Sequence, residues 1–71
     1  MEKSARYLLG KRIKELRQKA KLTQEQLGEA ANLNPKYIGE VERTEKTISV
    51  DALARVAVAL KVRLRDLVRD V

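Results

Sequence analysis

Seventy-one residues make one small domain (1–71), near the lower limit of what folds unstapled, and the absence of cysteine and histidine removes the commonest nucleophile, metal ligand and general base. A net charge of +6 and a pI near 10.0 point to a polyanionic partner, against the plainer reading that small helical proteins are basic for solubility. No apolar run reaches the roughly 18 residues of a membrane span, and "MEKSARYLLGKR" has no signal-peptide core, so a cytoplasmic protein is expected, with no enzyme activity, metal, cofactor or small-molecule substrate.

Strands are not expected, because the only aromatics are two tyrosines and β-branched residues rarely alternate. Leu9, Ile13, Leu16 and Ala20 recur at helical spacing with basic residues between them. They predict a first helix over about residues 4–20, with Ser4 as its N-cap. Thr23 followed by Gln26 is a capping-box pattern and opens a second helix, 23–31, that buries Leu27, Ala30 and Ala31. Asn32 suits the left-handed residue that ends it. Asn34 caps a third helix, 35–43, and Pro35 sits at its first position, where the missing amide costs nothing.

Ser49 caps a fourth helix, 50–60, with Asp51 against its N-terminal dipole. A last amphipathic segment, 64–70, forms a fifth helix whose start is poorly marked, since arginine is a weak N-cap. The expectation is therefore an all-α, compact five-helix domain.

Two short helices joined by a turn of about three residues have the geometry of a helix-turn-helix. Beyond that spacing, "IKELRQKAKLTQEQLGEAANLNPKYIGEVER" closely resembles the Cro/phage-repressor-like (Xre-type) helix-turn-helix family. "ISVDALARVAVALKV" resembles the family's fourth helix and following turn, so the likeness covers roughly residues 9–68. It implies a lambda-repressor-like DNA-binding fold with the helix-turn-helix at helices two and three. It also implies a transcriptional regulator that binds operator half-sites on double-stranded DNA as a homodimer. "YIGEVERTEKTISV" is similar to restriction–modification controller proteins in particular, with phage-type repressors and antitoxin-like regulators close behind. At this length, no second ligand-sensing domain is expected.

The resemblance assigns roles by position. Asn34, Pro35, Lys36 and Glu40 match base-contacting positions of the reading helix. Thr23, Gln24, Tyr37, Arg43, Lys46 and Thr47 match backbone-contacting positions, and an amide such as Gln24 beside free N–H groups at a helix start makes a short-range anion site. Arg17 and Glu42 match a structural ion pair joining the first and third helices. Ile38 and Val41 face inward. Four departures from the family pattern stand at Asn32, Pro35, Thr44 and Thr47-Ile48; with threonine in place of glycine or asparagine at 44, a looser exit from the third helix is expected.

The charge is unevenly spread: residues 1–22 carry +6, residues 23–48 carry −2 and residues 49–71 carry +2. Phosphate neutralisation is then expected from some of Lys11, Arg12, Lys14, Lys19 and Lys21, helped by Arg43 and Lys46, unless the first helix is simply a solvated face. Glu40 has two readings, accepting from cytosine N4 or orienting Lys36 or a neighbouring arginine. Gly39 has two as well, close approach to a sugar-phosphate wall or to another helix. Leu64, Leu67, Val68 and Val71, together with Val58 on a fourth helix apolar around most of its circumference, exceed what one small core can use and suggest the dimer interface. A fold that kept this architecture as a protein-interaction module, without DNA reading, is the alternative.

Overall fold

The computed structural model describes residues 3–71; Met1 and Glu2, with which the expected domain begins, lie outside them. Five helices follow one another: α1 (Ala5–Lys19), α2 (Gln24–Ala31), α3 (Pro35–Glu42), α4 (Val50–Leu60) and α5 (Leu64–Val68). The described residues contain no strand.

Each start is fixed by a local hydrogen bond. The Tyr7 amide donates to Ser4 Oγ, the Gln26 amide to Thr23 Oγ1, the Lys36 amide to Asn34 Oδ1 and the Ala52 amide to Ser49 Oγ. At α2 the box is complete, because Gln26 Oε1 accepts from the Thr23 amide at 2.9 Å. At α5 the capping residue is Arg63, and the signal lies three residues on: Asp66 Oδ2 accepts from the Arg63 amide at 3.0 Å.

The four helices α1 to α4 end alike, and without glycine. Lys21, Asn32, Thr44 and Lys61 stand at φ 61°, 57°, 64° and 59°. Each sits at the left-handed position of a Schellman turn, in which two amides return to carbonyls of the last helical turn. After α1 these are Lys21 to the Gln18 carbonyl at 2.9 Å and Leu22 to the Arg17 carbonyl at 3.0 Å. The exit at Thr44 is therefore as tight as the others, contrary to expectation. The backbone bonds outweigh the residue type, and a β-branched side chain carries the strain.

The next residue in three of these turns, Leu22, Leu33 or Val62, packs onto the core. That core is built on Ile13, Leu27, Ile38, Val56 and Leu67, all essentially inaccessible to solvent. Each such side chain stabilises by about 1.5–3 kcal/mol relative to exposure. The second helix packs on α3 and α4, the first on α3 and α5, and α4 on α5.

Leu67, expected at a dimer interface, is 0% exposed and belongs to this core. It is the residue by which α5 docks on its own chain. The fifth helix also ends at Val68, short of the expected residue 70. Arg12 explains the stop: its Nη1 donates to the Asp66 carbonyl at 2.7 Å and its Nη2 to the Arg69 carbonyl at 3.0 Å. Arg12 is thus half-buried and occupied, and does not join the phosphate-facing cations expected on α1.

Candidate nucleic-acid interface

The angle between α2 and α3 is set where the two helices nearly touch. A side chain at Gly28 would come within 2.6 Å of the Leu33 carbonyl and 3.3 Å of the Pro35 ring. Gly10 plays the same part between α1 and α3, because a Cβ there would run into the Val41 carbonyl. With Ile38 and Val41 in the core, α3 turns Lys36 and Asn34 outward, with Glu40 at its edge.

A second constraint on α3 is polar. Arg17 Nε donates to Glu42 Oε2 at 2.7 Å and Nη2 to Glu42 Oε1 at 3.0 Å, while Nη1 donates to the Leu22 carbonyl at 2.8 Å. The Glu42 side chain is 2% exposed. This hydrogen bonding raises the Arg17 pKa against the opposing effect of burial. Glu42 Oε1 also accepts from Gln24 Nε2 at 3.1 Å, which orients the Gln24 side chain, half-buried at the first position of α2.

The remaining positions assigned from the family pattern fall as follows. Asn34 is exposed, its carbonyl oxygen engaged in the cap. Pro35 is half-buried against the turn, and Lys36 is exposed. Tyr37 packs on the core, and its hydroxyl accepts from the Ser49 amide at 3.1 Å, tying α3 to the start of α4. Thr23 and Thr47 are exposed, the former inside its capping box.

Glu40 does not clamp Lys36; its Oε1 lies 3.5 Å from Lys46 Nζ. The chain that leaves α3 folds back and brings Lys46 within reach, with the Lys46 amide itself donating to the Glu40 carbonyl. Gly39 is buried, and what approaches it is side chain, from Arg43 and from Gln24 at the start of α2, rather than the backbone of another helix. Arg43 Nη1 and the two Gln24 amide atoms lie 2.9, 3.3 and 3.4 Å from where its Cβ would stand.

Sequence reasoning missed Glu45. Its carboxylate accepts from Arg43 Nε at 3.0 Å and from Nη2 at 3.3 Å, which lowers the Glu45 pKa and raises that of Arg43. The two residues are separated by one position, and nothing in the linear pattern signals contact until the chain reverses at Thr44. Gly10 and Gly28 were equally silent, since the clash each avoids lies in another segment.

Of the residues expected at a dimer interface, Val58, Leu64, Val68 and Val71 are exposed on the single chain, Val58 by 78%. A shallow groove of about 310 Å³ between α2 and α4 is lined by Ala30, Ala31, Asn32, Ala54, Arg55 and Val58.

The helix-turn-helix family profile matches residues 13–67. The chain is 42% identical over 62 residues to the immunity repressor protein of Bacillus phage phi105, a match covering 87% of this chain and 43% of that protein. This chain therefore spans less than half of the phage repressor's length. It is 31% identical over 68 residues to the control protein C.BamHI of Bacillus amyloliquefaciens, covering 94% of this chain and 84% of that one. Among solved structures, the restriction-modification controller protein C.AhdI from Aeromonas hydrophila superposes with a TM-score of 0.85 at 34% identity, over 87% of this chain and 94% of that chain.

Proposed function

This chain belongs to the helix-turn-helix family, as a DNA-binding regulator of the Cro/repressor (Xre) type, and we propose that it binds a specific operator on double-stranded DNA as a homodimer. Each subunit lays α3 in the major groove of one half-site, the two half-sites lying about one helical turn apart. Asn34, Pro35, Lys36 and Glu40 meet base edges, with Lys36 donating to guanine O6 or N7. Thr23, Gln24, Tyr37, Arg43, Lys46 and Thr47 meet the backbone, and the exposed Lys11, Lys14, Lys19 and Lys21 add long-range attraction. The subunits join through Val58, Leu64, Val68 and Val71. The protein acts in the cytoplasm by occupancy, without catalysis or cofactor.

The observation that carries this reading is the fixing of α3. Ile38 and Val41 bury its inner side, Glu42 ties it to α1 through Arg17, and the exposed Asn34 and Lys36 lie on what remains. Selection of binding sites from random duplexes tests it. A two-fold symmetric motif is expected, and the absence of any enriched motif sinks the proposal.

A second reading, a protein-interaction module, draws on the −2 balance of residues 23–48 and the pairing of Arg43 and Lys46 with carboxylates. Anisotropy with mixed duplex at two salt concentrations separates the readings. Binding that is absent, or indifferent to salt, favours the interaction module.

A further inference from the structure

Residues 23–48 contain three cations, and two of them already hold an anion. Lys46 faces Glu40, and Arg43 is gripped by Glu45 through two near-parallel hydrogen bonds. A guanidinium presents the same planar fork to a carboxylate as to two oxygens of a phosphate. We propose that the Glu45 carboxylate occupies on Arg43 the place of a DNA phosphate, so that DNA binding exchanges an internal anion for an external one. Glu45 then sets how tightly the backbone is gripped. The inference rests on the DNA-binding reading above.

Three features support the exchange. The Glu45 backbone is held beside the end of α3 rather than carried away by the loop. Thr44 turns at φ 64° and the Glu45 amide donates to the Glu40 carbonyl at 2.7 Å, which returns residue 45 to the end of α3. The Arg43 guanidinium lies over Gly39 beside the Gln24 amide, whose Nε2 is engaged by Glu42, so Arg43 stands next to the other side chain assigned to the backbone. The pair is also open to water, with side chains 56% and 54% exposed, so an incoming phosphate can reach it. Exposed pairs of this kind are weak, which makes exchange accessible and limits the effect to about fivefold in affinity.

A double-mutant cycle tests the exchange, by anisotropy on a mixed-sequence duplex. The proteins are the unaltered chain, Glu45→Gln, Arg43→Gln and the double variant, with Glu29→Gln, an exposed α2 site, as control for the change in net charge. All three positions are exposed, and circular dichroism verifies that helicity is retained. Glu45→Gln is expected to tighten binding about two- to fivefold, more than Glu29→Gln, and to lose that excess when Arg43 is already glutamine. An equal gain with and without Arg43, or no gain over the control, overturns the exchange while leaving DNA binding intact. Failure of the unaltered chain to bind duplex at low salt overturns both.

Discussion

Arg17 of α1 and Glu42 of α3 meet in a two-pronged ion pair at 2.7 and 3.0 Å, nearly closed to water. Because Glu42 also holds Gln24, one carboxylate links three helices. A buried pair is costly to break from one side and cheap to replace from both. Glu42→Ala is expected to cost about 3–5 kcal/mol, much of what a domain of this size has. The double change Arg17→Met with Glu42→Leu should cost less than Glu42→Ala alone. Urea unfolding of the unaltered chain and the two variants decides it, and a loss in the double variant as large as that of Glu42→Ala would contradict the account.

Among the described residues in the left-handed region, Thr44 at φ 64° is the one with a β-branched side chain. Thr44→Gly should raise stability by about 1 kcal/mol, seen as a higher urea midpoint at unchanged slope. Asn32→Gly, at φ 57°, should gain only a few tenths, because asparagine tolerates this region. Equal shifts in the two variants would show that branching at Cβ is not the cause.

These turns also mark where the sequence stopped being legible. Helix starts are written in one or two nearby residues, so Ser4, Thr23, Asn34 and Ser49 could be read directly. The ends at Lys21 and Lys61 carry no glycine and no asparagine; they are held by backbone bonds and by Leu22 and Val62 reaching the core. The site divides in the same way. Inward Ile38 and Val41 follow from periodicity, whereas the partners of Arg12, Glu40 and Arg43 depend on where distant or reversed segments come to lie. Spacing of i, i+3, i+4, i+7 identifies an apolar face without saying what it packs against, and Leu67 packs within its own chain.

Gly10 and Gly39 should respond oppositely to alanine, which helices otherwise prefer by about 1 kcal/mol. At Gly10 the new methyl meets the Val41 backbone, which cannot yield without moving α3. A net loss of about 1–2 kcal/mol is expected. At Gly39 the nearest atom is the end of the Arg43 side chain, which can swing away. The Gln24 amide at 3.3 and 3.4 Å is also side chain and need yield only a little, so stability should hold or rise slightly. Thermal melts followed by circular dichroism compare the two, and a Gly39→Ala loss as large as that at Gly10 would refute the distinction.

Arg12 holds the end of α5 through the Asp66 and Arg69 carbonyls. Arg12→Ala should cost about 1–2 kcal/mol and speed amide exchange at Leu67 and Val68 ahead of the other helices. Lysine should not rescue it, since one ammonium lacks the fork that spans two carbonyls. Full rescue by Arg12→Lys would mean that charge near the helix end matters, rather than the fork.

Leu67 and Val68 are adjacent on α5 and separate folding from association. Leu67 is 0% exposed and fills the monomer core; Val68 is 42% exposed. Leu67→Ala should cost about 2–5 kcal/mol of unfolding free energy, as expected for a buried leucine that leaves a cavity. Val68→Lys should leave the monomer's stability within about 0.5 kcal/mol, because its side chain can remain in water. If α5 forms the subunit contact, the same lysine must be desolvated there, and dimer dissociation should rise about tenfold or more. Val58→Lys tests the α4 side of the proposed interface in the same way. Sedimentation equilibrium reads association and urea unfolding reads stability, so the two effects are measured independently. An unchanged dissociation constant in both lysine variants would remove these surfaces from the interface and move the search to the groove between α2 and α4.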